Sequence, residues 1–127
     1  MIANKIPYLN NINTMGGVSI PLNTAVVSDG SGAYVRKGNI VMVSLINIKF
    51  KAKGDSQILV SAADSPLPAP LIQPTFLFGG ASGATSKIIG TADLGWMPYN
   101  SKAIYIHAQS DYYNQSHYGY FCYLTND

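Results

Sequence analysis

The sequence predicts an antiparallel β-sandwich or barrel built as one domain, and three observations carry that prediction. Apolar residues recur with a period of two, whereas the 3.6-residue period of an amphipathic helix is absent. Short alternating runs are separated by turn signals rich in Gly, Asp, Asn and Pro. Of the 127 residues only 11% are charged and none is Glu, while Tyr numbers nine, Gly twelve and Pro seven. So little charge cannot dress several solvent-exposed helices, and 47% hydrophobic content argues against charge-driven disorder. The length suits one domain and a core that folds without disulfides or a metal. No repeat or linker divides residues 1–127.

Taken in chain order, residues 1–14 are rich in Asn, with Ile2, Ile6 and Tyr8 on one face. They are expected to form an edge strand or a lead-in from a preceding shaft. Strands are then expected over residues 18–22 and 33–36, separated by the turn signal Asp29-Gly30-Ser31-Gly32. The clearest run, 39–53, follows Lys37-Gly38-Asn39 and ends at Lys53-Gly54-Asp55. Its alternation groups Ile40, Met42, Ser44, Ile46, Ile48 and Phe50 on an expected core face. The other face is apolar at Val41, Val43 and Leu45 and polar at Asn47, Lys49 and Lys51, so its first half needs cover from a second sheet or another subunit. Further strands are expected over 57–62, 75–78, 87–92, 103–108 and 117–125, with the small-residue loop from Gly79 to Gly83 among them. The Pro-rich stretch Ser65-Pro66-Leu67-Pro68-Ala69-Pro70 lacks the donors of a central strand and is expected to cross from one sheet to the other.

Charge and cysteine narrow the function classes. The formal net charge is +2, and Arg36 is the one arginine. Lys49, Lys51 and Lys53 alternate with Phe50 and Ala52 as a solvated strand face, so no basic stripe is present to neutralise several phosphates, and nucleic acid is not an expected partner. The N-terminus lacks the pattern of a signal peptide, and no apolar run approaches the ~20 residues of a membrane span. Cys122, inside the apolar run 118–124, is expected to be a small buried hydrophobe.

Catalytic signatures are missing. Carboxylate chemistry would have to come from Asp29, Asp55, Asp64, Asp93 and Asp111, most of which adjoin Gly, Ser or Pro as turn formers do. There is no G-x-S-x-G, H-E-x-x-H or calcium-loop pattern, and the glycines of 79–87 do not have phosphate-loop spacing. His107 and His117 with Asp111 between them are too few and too loosely spaced for a metal site. The sequence therefore predicts no enzyme activity, no metal and no cofactor. Asn114-Gln115-Ser116 matches a glycosylation pattern that also occurs by chance.

Polar aromatic residues gather with His and Asp in the last third of the chain. Trp96, Tyr99, Tyr105, His107, Asp111, Tyr112, Tyr113 and His117 combine rigid apolar rings with hydrogen-bonding handles, which suits a hydroxyl-rich ligand such as a saccharide. Alternation places Tyr105 and His107 on the less buried face of their strand. The competing reading is that these rings complete the core and surface of a β protein, as Tyr often does. The segments 29–32 and 79–86 are the next candidates for a binding surface.

The run Tyr34-Val35-Arg36-Lys37-Gly38-Asn39-Ile40-Val41-Met42-Val43-Ser44, the Leu67-Pro68-Ala69-Pro70 connection and the ending Gly119-Tyr120-Phe121-Cys122-Tyr123-Leu124-Thr125-Asn126 resemble the C-terminal head domains of bacteriophage tail fibres and baseplate receptor-binding proteins. The resemblance implies a jelly-roll β-sandwich at the virion tail tip, assembled as a homotrimer. It further implies binding without cleavage of a host cell-wall polysaccharide or teichoic-acid-like polymer. In a trimer, Val41, Val43 and Leu45 would be the covered interface. The alternative is a structural trimerisation or surface-decorating jelly-roll module of a virion or spore.

Overall fold

A computed structural model describes residues 17–54, 57–80, 88–95, 100–109 and 113–127. Among these, eight strands and no helix are found: β1 Val18–Ile20, β2 Val27–Lys37, β3 Ile40–Phe50, β4 Gln57–Val60, β5 Thr75–Gly80, β6 Ile88–Leu94, β7 Ile104–Gln109 and β8 His117–Leu124. Each corresponds to a run expected from alternation. The edge strand expected over 1–14 lies outside the described residues.

Every ladder is antiparallel, and the strands form one sheet in the order β1-β2-β3-β8-β5-β6-β7-β4. The sheet curls until its edges meet. Asn23, just after β1, donates its backbone N–H to Leu59 O at 2.8 Å and its side-chain amide to Ile58 O at 2.9 Å, both in or beside edge strand β4. The all-β antiparallel expectation holds, with a nearly closed, barrel-like sheet in place of two separately bonded ones. The inner face is a single cluster including Leu45, Ile48, Phe50, Leu59, Phe78, Leu94, Ile104 and Ile106. Phe50 and Phe78 meet edge to face at 6.4 Å, and Phe76 stacks on Phe121 at 4.1 Å. Removing each such side chain from water contributes about 1.5–3 kcal/mol.

The Pro-rich stretch runs from edge strand β4 to interior strand β5 of the same sheet, so it is not a passage between two sheets. Leu67 is buried in the core. The flanking carbonyls accept from the sheet: Tyr34 Oη to Pro66 O at 3.1 Å, Tyr123 Oη to Pro68 O at 2.8 Å and Thr125 Oγ1 to Ala69 O at 2.6 Å. Burial, more than any other influence, pushes the Tyr123 phenol well above its ordinary pKa. It therefore stays a neutral donor.

Two local expectations are corrected. Asp29-Gly30-Ser31-Gly32 is not a turn but part of β2, where the register with β3 slips twice. Gly30, at φ 128°, permits the close passage, because a Cβ there would lie 2.6 Å from Ile48 Cδ1. The turn joining β2 to β3 is the Gly38-Asn39 pair, with Gly38 at φ 60°.

The faces of β3 are also reassigned. Val41, Val43 and Leu45, expected at a subunit interface, are at most 1% exposed and belong to the chain's own core. Ile40, Met42 and Ile46, expected inside, are exposed, whereas Ile48 and Phe50 are inside as expected. The cause is a bulge: β3 advances from Leu45 to Ile48 while β8 advances only from Gly119 to His117. Asn47 takes up the extra length at φ 55°, held by a hydrogen bond from Tyr118 Oη to its side-chain oxygen. One inserted residue reverses the parity, so strict alternation inverts the faces on one side of it.

Candidate functional site

The outer surface of the barrel divides into two regions. On β5, β6 and β7 it is mixed, with Leu77 exposed beside a polar cluster, and the cross-strand register aligns Thr75 with Asp93 and Asp93 with Tyr105. Ile58 of β4 lies across from Tyr105. Side chains opposite one another in adjacent strands are neighbours, so this row forms one continuous surface. The β6–β7 register slips between Thr91 and Ala92, which face Ala108 and Ile106. His107 is the extra residue of that bulge and points outward beside Asp93.

Asp93 is the hub. Its Oδ1 accepts from Thr75 Oγ1 at 2.6 Å, and its Oδ2 accepts from Gln73 Nε2 at 2.8 Å. His107 Nε2 lies 2.6 Å from the same Oδ2. The side chains of Asp93 and His107 are 13% and 25% exposed. Two neutral donors fix the carboxylate, and the carboxylate fixes the imidazole, giving an oriented set of donors and acceptors beside the Tyr105 ring. Thr75 Oγ1 donates to the carboxylate and not to the histidine, so this is not a nucleophile-base-acid chain of the kind used in acyl transfer. Among the described residues, no three His, Cys, Asp or Glu are grouped to hold a metal ion, and no helix is long and apolar enough to cross a membrane.

Of the residues expected to bind a saccharide, the structure brings together Tyr105 and His107. Trp96, Tyr99, Asp111 and Tyr112 lie outside the described residues. Tyr113 is half-buried against the core, and its carbonyl accepts from Phe50 N at 2.9 Å. His117 cannot be a surface ligand contact, because it is completely buried between Phe50 and Phe78, with ring centroids at 5.0 and 5.9 Å. Its Nδ1 lies 2.9 Å from Ile48 O and 2.7 Å from Gln115 O, two acceptors that require the proton on Nδ1. The missed residues are Asp93, Thr75 and Gln73. The expected strand stopped at Ala92, and the pairing of β5 with β6 leaves no mark in the local pattern.

Where residues 33–35 of β2, 42–44 of β3 and 120–122 of β8 meet, the outer surface is mainly apolar. A groove of about 580 Å³ is lined by Ala33, Val35, Met42, Ser44, Tyr120 and Cys122, together with Tyr34, Val43 and Phe121. Cys122, expected to be buried, is exposed here. It alternates outward with Tyr120 and Leu124. A second, more polar groove of about 430 Å³ runs along β1 and β2 past Ser19, Thr24, Ser28, Asp29 and Ser31. This coincides with the 29–32 segment named as a further binding candidate.

No protein-family model, no curated protein and no solved structure matches the chain.

Proposed function

We propose that the chain is a non-catalytic adhesion head that recognises a cell-surface saccharide as a homotrimer. The observation that carries this reading is the Asp93 hub. A carboxylate held by Thr75 and Gln73 orients His107 next to Tyr105 on a rigid sheet face. Sugar hydroxyls both donate and accept, so a fixed carboxylate, imidazole and phenol beside an aromatic face match their chemistry. Such open sites bind weakly one at a time, and several copies on one particle raise avidity through effective concentration. The resemblance to phage tail-fibre and baseplate heads supplies the setting: a virion tail tip, with host cell-wall polysaccharide or a teichoic-acid-like polymer as ligand. In this reading, the strand groups β1-β2-β3-β8 and β5-β6-β7-β4 play the parts of the two jelly-roll sheets.

Binding to purified host wall polysaccharide, measured by calorimetry or on a glycan array, tests the proposal. Asp93→Asn and Tyr105→Ala are each expected to weaken binding about tenfold or more, as loss of a charged hydrogen-bond partner or a stacking ring does. Unchanged binding in both variants removes the site from this face. Release of reducing ends from the polysaccharide would make the protein an enzyme.

The apolar face of β2, β3 and β8 favours a second reading, in which the domain is an assembly module without a ligand. Absence of binding to every host-derived saccharide, with assembly intact, would select it.

A further inference from the structure

We infer that the outer face of β2, β3 and β8, centred on Met42, Tyr120 and Cys122, is where a second copy of this chain docks. The inference deepens the proposed function and rests on its oligomeric part: it names the contacting surface, which the core burial of Val41, Val43 and Leu45 removes from those residues.

The register builds the face. Val35 lies across from Met42 and Met42 from Cys122; one row along, Ala33 lies across from Ser44 and Ser44 from Tyr120; at the strand end, Ile40 lies across from Leu124. Each strand sends its core residues inward at alternate positions, so these side chains all point outward. Ala33 and Ser44 are small, and their shared row leaves a hollow rimmed by Met42 and Tyr120. That hollow is the 580 Å³ groove. Beyond Cys122 the surface continues over Leu71 and Ile72, which line a further hollow of about 240 Å³ with Cys122 and Leu124.

Three features select a copy of the chain as the occupant. The first is area. Tyr120 is 75% exposed and Ile72 81%, and Ile40, Met42, Leu71 and Leu124 are each about half exposed. Together these six present on the order of 600 Å² of surface, most of the ~800 Å² each partner buries in a standard-size stable interface. Monomeric soluble proteins rarely leave so large a contiguous patch uncovered. The second is charge. No residue lining either hollow is charged, so the face offers nothing to a polyanion or a charged peptide, and it has the charge depletion of a permanent interface core. The third is shape. A projecting aromatic ring stands beside a hollow floored by small residues, which lets equivalent rings and hollows engage across a rotation axis.

The experiment is light scattering on the intact protein at micromolar concentration, with Met42→Asp and Tyr120→Glu beside the wild type. Both substitutions change exposed side chains, and circular dichroism checks that the strands remain. The wild type is expected at a multiple of 13.6 kDa and both variants at 13.6 kDa. Cys122 gives a second readout on the same three proteins. Its alkylation is expected to be at least about tenfold slower in the assembled wild type than in the variants, because the thiol reacts only after dissociation. A wild type that is monomeric overturns this inference and the oligomeric part of the proposed function together. An oligomer that survives both substitutions, with Cys122 reacting at the rate of a free thiol, overturns the docking surface alone.

Discussion

Strands β3 and β7 sit in the same curled sheet and send the same kind of residue inward, yet their outer faces have opposite chemistry. Outside β3 lie Ile40, Met42 and Ile46, exposed and apolar. Outside β7 lie Tyr105 and His107, tied to Asp93. The inner face is constrained by the shared core, whereas the outer face is free to be specialised, and here it is specialised by region: one side carries the uncharged apolar groove, the other the Asp93–His107 pair. An assembled particle needs one surface that remains covered and another that remains accessible. The division supplies both without a second domain.

The largest effect should separate inside from outside on a single strand. Val43 and Met42 are adjacent, but Val43 is 1% exposed and Met42 47%. Val43→Asp places a carboxylate in an apolar core with no partner and is expected to cost about 4 kcal/mol or more, enough to unfold most small domains. Met42→Asp is expected to leave the single chain folded and to lower the melting temperature only by what assembly contributes. Thermal unfolding of the two variants checks this. Equal destabilisation would mean that the bulge at Asn47 does not set the faces as described.

That bulge also marks where the sequence stops being readable. Alternation and turn chemistry identified every described strand, because both are local. Which face of β3 is inside depends on one inserted residue, and a period-two pattern looks equally good on either side of it. At the C-terminal strand the opposite holds: His117 shares parity with Phe121 and Tyr123, and Cys122 with Tyr120 and Leu124. The burial of the histidine and the exposure of the thiol therefore stand in the pattern, outweighed there by the ordinary habits of the two residue types. The Asp93 cluster was half legible. Tyr105 and His107 share a face by local alternation, but Thr75 and Gln73 reach Asp93 only through the β5–β6 pairing, a long-range fact.

An intermediate effect should sharpen the polar side of the comparison. His107→Gln removes the imidazole next to Asp93 but leaves Thr75 and Gln73 on the carboxylate. The pair is partly buried, but Thr75 and Gln73 keep the carboxylate hydrogen-bonded in the variant, so the substitution is expected to cost about 1 kcal/mol or less. The signature of a recognition role is a saccharide affinity that falls several-fold while thermal stability hardly moves. The reverse outcome, with stability lost and affinity kept, would make the pair a brace for the β6–β7 bulge.

The smallest expected effect concerns the seam between the two regions. His117 begins β8, where the strand pairs with Ile48 of β3 on one side and Gly80 of β5 on the other. Its Nδ1–H serves two backbone carbonyls, and among the described residues its Nε2 is buried without a hydrogen-bond partner. Burial pulls its pKa below the ordinary 6.5, and the bonds to Gln115 and Ile48 oppose that shift only in part. The unfolded chain thus takes up a proton at this residue at a higher pH than the folded one. Stability from this group is fully present above pH 6.5 and declines as the pH falls through that value toward the lower folded pKa. A single proton limits the slope to about 1 kcal/mol per pH unit near pH 6. Denaturant unfolding at several pH values should show this decline in the wild type and a flatter profile in His117→Gln, which has no proton to gain. An unchanged slope in that variant would assign the acid sensitivity to other groups and leave the seam indifferent to pH.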